Sequence, residues 1–213
     1  MTSKSAEDAT NFRRDAPAAR RNAGAILPIL ADILPASGTV LEIGSGTGQH
    51  AVIFAQALAP IKWLPTDTSQ AQLASISAWI SGSKPPLPLS PRKIDATSKV
   101  WPIDTVDDVG AIFSANVIHI SPWAVCAGIL AGAGRILPED GPLVFYGPFK
   151  RDGQHTAPTN AAFDASLRLQ NSEWGVRDVA DIAVGGETEG LILTQVIEMP
   201  ANNLIVTLRR AAT

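Results

Sequence analysis

The chain has 213 residues, enough for one α/β domain with a proper core and short for two, and its 46% hydrophobic residues exclude a disordered polymer. A net charge of -3 gives no field that would draw a nucleic-acid backbone, so nucleic acid is not the expected substrate. No apolar run approaches transmembrane length, Met1 to Asp15 is polar and unlike a secretory signal, and the single Cys126 can form no intrachain disulfide. These features lead to the expectation of a cytoplasmic protein that does not engage a membrane.

Residues 1–16 are polar, carry Arg13 and Arg14 at their edge, and form either a flap or, as the default expectation, a flexible tail ahead of a single domain over 17–210. From Pro17 onward Ile26, Leu27, Leu30, Ile33 and Leu34 share one helical face, with Pro28 able to kink or restart the helix and Pro35 to end it. Val40, Leu41 and Ile43 read as the end of a strand, and Ala51, Val52, Phe54, Ala55 and Leu58 recur at helical spacing after it. Gly44, Gly46 and Gly48 therefore occupy a strand-to-helix corner, where a ligand can approach bare backbone and the N–H groups of the following helix. A dinucleotide fingerprint would need a third glycine where Gln49 stands. Instead the pattern is acid-x-Gly-x-Gly-x-Gly, led by Glu42. It resembles motif I of class I S-adenosylmethionine (SAM)-dependent methyltransferases, whose loop packs against the methionine part of SAM.

Ile61 to Thr66 reads as a second strand ending in Asp67, which is placed either to accept hydrogen bonds from ribose hydroxyls or to cap the next helix. That helix carries Leu73, Ile76 and Trp79 and stops before Gly82. Arg92 to Ile94 form a short third strand before Asp95, and Val109 to Ala115 a central fourth one. Asn116 and His119 follow at its end, with Ser121 as expected N-cap and Pro122 as first helical residue. His119 is the best-placed histidine for general base work, or else it packs against Trp123. After the helix to Leu137, Leu143 to Tyr146 is strand five, and Gly147 to His155 is a long polar loop. Its Lys150, Arg151, Asp152 and His155, with Tyr146, either shape an acceptor pocket or form a solvated lid. A helix through Asn160 and Arg168 follows. Asp178 caps another that Gly185-Gly186 should interrupt, and Leu191–Ile197 and Leu204–Leu208 close the chain as a hairpin. No cysteine or histidine cluster has metal-binding spacing.

Leu41 through His50, Asn116 through Trp123, Tyr146 through Asp164, Glu173-Trp174-Gly175-Val176-Arg177-Asp178 and Met199-Pro200-Ala201-Asn202-Asn203 together resemble the domain-of-unknown-function family 938. That family is related to the methyltransferase-like protein 26 group and regarded as class I SAM-dependent; Gly44 stands where it usually has alanine. The resemblance implies an α/β, Rossmann-like, seven-stranded class I methyltransferase sheet, mostly parallel with a C-terminal antiparallel hairpin and helices on both faces. It implies SAM as cofactor, S-adenosylhomocysteine as product and a small-molecule acceptor. Glu42, Gly44, Ser45, Gly46 and Gly48 would hold the methionine end, Asp67 the ribose, Asp95 and Ala96 the adenine. Asn116 would serve cofactor and catalysis, with His119 and Tyr146 as further catalytic candidates. A non-catalytic SAM-binding protein, and more distantly an NAD(P)-binding oxidoreductase, are the alternatives; the acceptor and the oligomeric state stay open.

Overall fold

Strand β1 (Thr39–Ile43) is buried along its whole length, Glu42 included, which is the pattern of a parallel strand covered on both faces. In the computed structural model, which describes residues 12–103 and 108–212, β1 pairs in parallel with β2 (Lys62–Asp67), and β2 with the two-residue β3 (Arg92–Lys93). Helices α1 (Pro17–Ile33), α2 (Gln49–Ala57) and α3 (Gln70–Ser81) belong to the same unit, which comprises Met1–Asp95 and Pro102–Asp108. Its core gathers Ile26 and Leu30 of α1, Leu41 of β1, Phe54 of α2, Trp63 of β2 and Ile76 of α3, all fully buried. The Phe54 and Trp63 rings meet at 5.2 Å and 56°, a tilted aromatic contact.

The second unit comprises Ala96–Trp101 and Val109–Thr213. It contains β4 (Val109–Ala115), α4 (Trp123–Ile136), β5 (Pro142–Gly147), the small hairpin β6 (Lys150–Arg151) and β7 (Gln154–His155), α5 (Pro158–Gln170), α6 (Val179–Glu187), β8 (Leu191–Met199) and β9 (Asn203–Arg210). β4 and β5 are parallel, whereas β9 runs antiparallel to both β5 and β8. The sheet order is β3-β2-β1-β4-β5-β9-β8, an α/β fold with a mostly parallel seven-stranded sheet, a C-terminal antiparallel pair and helices around it.

Several expected details differ. α1 runs through Pro28 as one helix from Pro17 to Ile33, so the proline does not restart it. α4 begins at Trp123 with Pro122 as N-cap, because the Ser121 hydroxyl bonds back to the Val117 carbonyl at 2.7 Å rather than to the helix. The Gly147–His155 loop contains the β6–β7 hairpin, turned by Asp152 (φ +51°) and Gly153 (φ +77°). α6 continues through Gly185-Gly186, since those glycines serve packing: a Cβ would lie 2.9 Å from Leu130 Cδ1 at the first and 2.4 Å from Leu208 Cδ2 at the second. Asp178 caps α6 as expected, accepting the Ala180 N–H at 2.9 Å, a cap worth about 1 kcal/mol. Of the expected tail, residues 1–11 lie outside the described residues, but Arg13 to Ala16 are held in place. Among the described residues no helix is long and apolar enough to cross a membrane, and no group of three or more His, Cys, Asp or Glu side chains could hold a metal ion.

Candidate functional site

The corner between β1 and α2 is a left-handed turn at all three glycines, with φ of +70° at Gly44, +56° at Gly46 and +94° at Gly48. At Gly48, the α2 N-cap, a Cβ would also fall 2.8 Å from the Ile76 backbone, so this glycine lets α3 pack against the turn. At Gly46 a Cβ would meet nothing within 4 Å; the backbone there borders open space.

Two carboxylates latch the turn. Glu42 Oε2 accepts from Ser45 Oγ at 2.7 Å and Trp63 Nε1 at 2.9 Å, while Thr66 donates its side-chain O–H to the Glu42 carbonyl at 2.7 Å. Burial pushes the Glu42 carboxyl up to about 7, against the pull of those two donors and with help from the nearby charge of Asp67. Asp67, at the carboxyl end of β2, accepts the Gly46 N–H at 3.0 Å on one oxygen and the Ser69 N–H at 2.9 Å on the other. Asp67 thus combines a hold on the glycine loop with the turn-capping role. Asp95 follows β3 and is exposed.

A polar strap crosses the same elements. The Arg14 N–H donates to Ser75 Oγ at 3.0 Å and Ser75 Oγ to the Thr47 carbonyl at 2.9 Å; the Arg14 carbonyl accepts from Trp79 Nε1 at 2.8 Å. The Arg13 guanidinium lies 3.4 Å over the Trp79 ring. Gln49 Nε2 donates to Asp15 Oδ1 at 2.8 Å, and Gln49 Oε1 accepts from the Ala16 N–H. Gln49, marked in the sequence only as the residue that breaks the dinucleotide fingerprint, is the strap's anchor.

In the second unit, Asn116 sits just after β4 with φ +63° and donates its N–H to the Tyr146 carbonyl at 2.8 Å, so these two candidates come together at the carboxyl ends of β4 and β5. Tyr146 is 3% exposed and Ala96 4%; Ala96 packs its backbone against Gly128 of α4. His119 ends a single 3-10 turn (Val117–His119) and is fully buried, its ring edge-on to Phe149 at 4.8 Å. Its Nδ1 accepts the Arg177 N–H at 3.3 Å, and its buried Nε2 has no hydrogen-bond partner. Burial first, and then the Arg177 charge, push its pKa down to about 3. A base needs an accessible lone pair, and the one that His119 has at neutral pH is occupied by Arg177. The geometry is that of the packing alternative, against Phe149 rather than Trp123.

Two side chains not singled out in the sequence organise this region. Arg177 donates from its guanidinium to the carbonyls of Ile118 (2.9 Å), Ser121 (2.6 Å) and Glu173 (2.8 Å), fixing the turn after β4. Asp164 of α5 is 7% exposed and faces Lys150 Nζ at 3.6 Å, His155 Nε2 at 3.4 Å and Arg168 Nε at 3.2 Å while accepting the Val176 N–H at 2.7 Å. Burial opposes its charge, but the Val176 and Arg168 hydrogen bonds and the Lys150 charge outweigh it and hold the carboxyl below its usual range. Lys150 and His155 are therefore turned toward Asp164, and of the expected acceptor-loop cations only Arg151 keeps its charge elsewhere. A four-residue spacing, Asp164 to Arg168, was the available signal.

A family model described as a protein of unknown function (DUF938) matches residues 13–210. The chain belongs to this family. Solved structures similar to this DUF938 protein include the mitomycin 7-O-methyltransferase MmcR, at 16% identity and a TM-score of 0.74 over 91% of this chain and 54% of that one. Human N-acetylserotonin methyltransferase in complex with SAM is similar at 14% identity and a TM-score of 0.74 over 92% of this chain and 53% of that one. An O-methyltransferase family 2 protein from Planctomyces limnophilus in complex with apigenin aligns at 21% identity and a TM-score of 0.68 over 96% and 62%. The DUF938 chain spans little more than half the length of the first two, and what it shares with all three is the methyltransferase fold.

Proposed function

We propose that this protein is a SAM-dependent methyltransferase acting on a small-molecule acceptor. The observation that carries the reading is the glycine turn latched between Glu42 and Asp67. A loop bordered by two carboxylates, with no basic side chain between Glu42 and Gln49, suits a cationic ligand that also carries an ammonium and ribose hydroxyls. It is a poor seat for a pyrophosphate, which argues against the oxidoreductase alternative. In this reading Glu42, Gly44, Ser45, Gly46 and Gly48 hold the methionine end, Asp67 accepts from the ribose hydroxyls, and Asp95 accepts from the adenine amine. Bound there, SAM supplies a methyl group activated by its sulfonium. The chain's contribution is chiefly to position the reactants, because the expected base is buried. Two of the similar structures support the cofactor and acceptor class, one by its bound SAM and one by its bound apigenin. The kinship with the methyltransferase-like protein 26 group and a cytoplasmic location, where the buried Cys126 thiol stays reduced, belong to the same proposal.

A SAM-binding protein without turnover is the second reading, favoured by the burial of both His119 and Tyr146. Incubation with SAM and pools of small hydroxy-, amino- and thiol-bearing compounds, followed by mass spectrometry, separates them. Acceptor-dependent release of S-adenosylhomocysteine is expected. SAM binding with no acceptor-dependent release would leave the binding protein.

A further inference from the structure

β8 and β9 are joined by a reversal in which two consecutive non-glycine residues, Ala201 and Asn202, both have φ of +59°. Left-handed backbone at such residues persists where the surroundings over-determine it, and it concentrates at ligand sites. Here the surroundings are specific. Asn160 of α5, 5% exposed, donates to Thr156 Oγ1 at 2.9 Å and to the Asn202 carbonyl at 2.8 Å. Asn202 and Asn203 donate their own amide hydrogens to Thr159 Oγ1 at 3.2 Å and to the Pro200 carbonyl at 3.1 Å.

Between this reversal and the β6–β7 hairpin lies a cavity of about 300 Å³, the size of a small metabolite site. Leu204, which lines the cavity, is paired with Gly147, so the cavity stands at the carboxyl end of β5 on its β9 side. Ligands of open α/β sheets bind outside the carboxyl ends of strands. Among the residues that line the cavity, the charged groups are Arg151 and Glu198. Their side chains are 44% and 85% exposed and form a loose, solvent-exposed ion pair at 3.9 Å, too long for a hydrogen bond, so the hydrogen-bonding positions of both stay open to a ligand. A lone anion would be drawn by Arg151 and repelled by Glu198, and a lone cation the reverse; a molecule with both signs satisfies both. Met199 and Leu204, 8% and 3% exposed, supply an apolar wall for its carbon skeleton.

We propose that this cavity binds a small zwitterion of the α-amino-acid type, its carboxylate on Arg151 and its ammonium on Glu198. The assignment names the acceptor class for the methyl transfer proposed above and rests on that reading.

The test is saturation-transfer NMR of the whole protein without SAM against the standard L-amino acids, each hit then compared with its amide, which lacks the carboxylate, and its N-acetyl derivative, which lacks the ammonium. At least one amino acid should bind, with both derivatives weaker by about ten-fold or more. Arg151→Gln should erase the preference over the amide, and Glu198→Gln the preference over the N-acetyl derivative. Absence of binding up to about 10 mM, equal binding of the derivatives to the unmodified protein, or preferences retained in both variants would overturn the site. A parallel titration with SAM separates the two proposals. Amino-acid binding without SAM binding removes the methyltransferase reading and leaves the site; SAM binding with silent amino acids does the reverse.

Discussion

Glu42 couples the glycine loop to pH. Its carboxyl, raised by burial from 4.5 to about 7, holds a proton more tightly in the folded protein than in the unfolded chain. Stability therefore falls as pH rises from 4.5 to about 7 and levels off above, by roughly 3 kcal/mol from this group. Glu42→Gln, whose amide oxygen can still accept from Ser45 and Trp63, should flatten that slope; urea titrations across the range read the difference between the two proteins. A cationic ligand favours the ionised form, so SAM affinity should strengthen as pH rises toward 7 and above in the wild type, and should not do so in Glu42→Gln. Asp67 makes the second test at this scale. Asp67→Ala frees the Gly46 and Ser69 N–H groups and removes the ribose acceptor, and SAM affinity should fall by about ten-fold or more; unchanged affinity would take Asp67 out of the site.

At the scale of elements, the glycines of α4 do what no periodicity announces. Gly128 and Gly132 lie four residues apart, on one face; a Cβ at Gly128 would come 2.2 Å from the Ala96 carbonyl oxygen, and one at Gly132 would come 2.2 Å from the Trp101 ring. The segment carrying Ala96 is thus seated in a groove of bare helix. Because Gly128 meets backbone, Gly128→Ala should cost on the order of 3 kcal/mol despite alanine's better helix propensity, lowering the melting temperature by roughly 6–12 °C. An unchanged melting temperature would show that the groove is looser than described. The same close packing explains why Gly185-Gly186 misled a reading by propensity: within a helix, glycine signals a break or a neighbour's approach, and only the position of Leu130 and Leu208 distinguishes them. The β6–β7 hairpin was expected as a polar loop: Asp152-Gly153 is a dipeptide suited to left-handed turns, but the two-residue strands are too short to show alternation.

For the whole molecule, the order of strands and helices followed from apolar periodicity and turn residues, and the closing β8–β9 hairpin from Met199 to Asn203 between two β-rich runs. The glycine corner was legible because its turn is local to the end of β1, and the end of β2 at Asp67 from its own apolar run; the bonds that join them, Asp67 to the Gly46 N–H and Glu42 to Trp63, span twenty-one residues and were not. The Arg13–Ala16 strap was not, since its hold depends on Ser75 and Trp79, more than sixty residues away in the chain. Nor was the burial of His119, which comes from Phe149 and Arg177 folding over it. The most direct test of the central claim is calorimetric titration of the protein with SAM, S-adenosylhomocysteine and NADPH in parallel. Saturable binding of the two sulfur ligands, with none of the nicotinamide, is the predicted result; binding of NADPH alone would contradict the assignment.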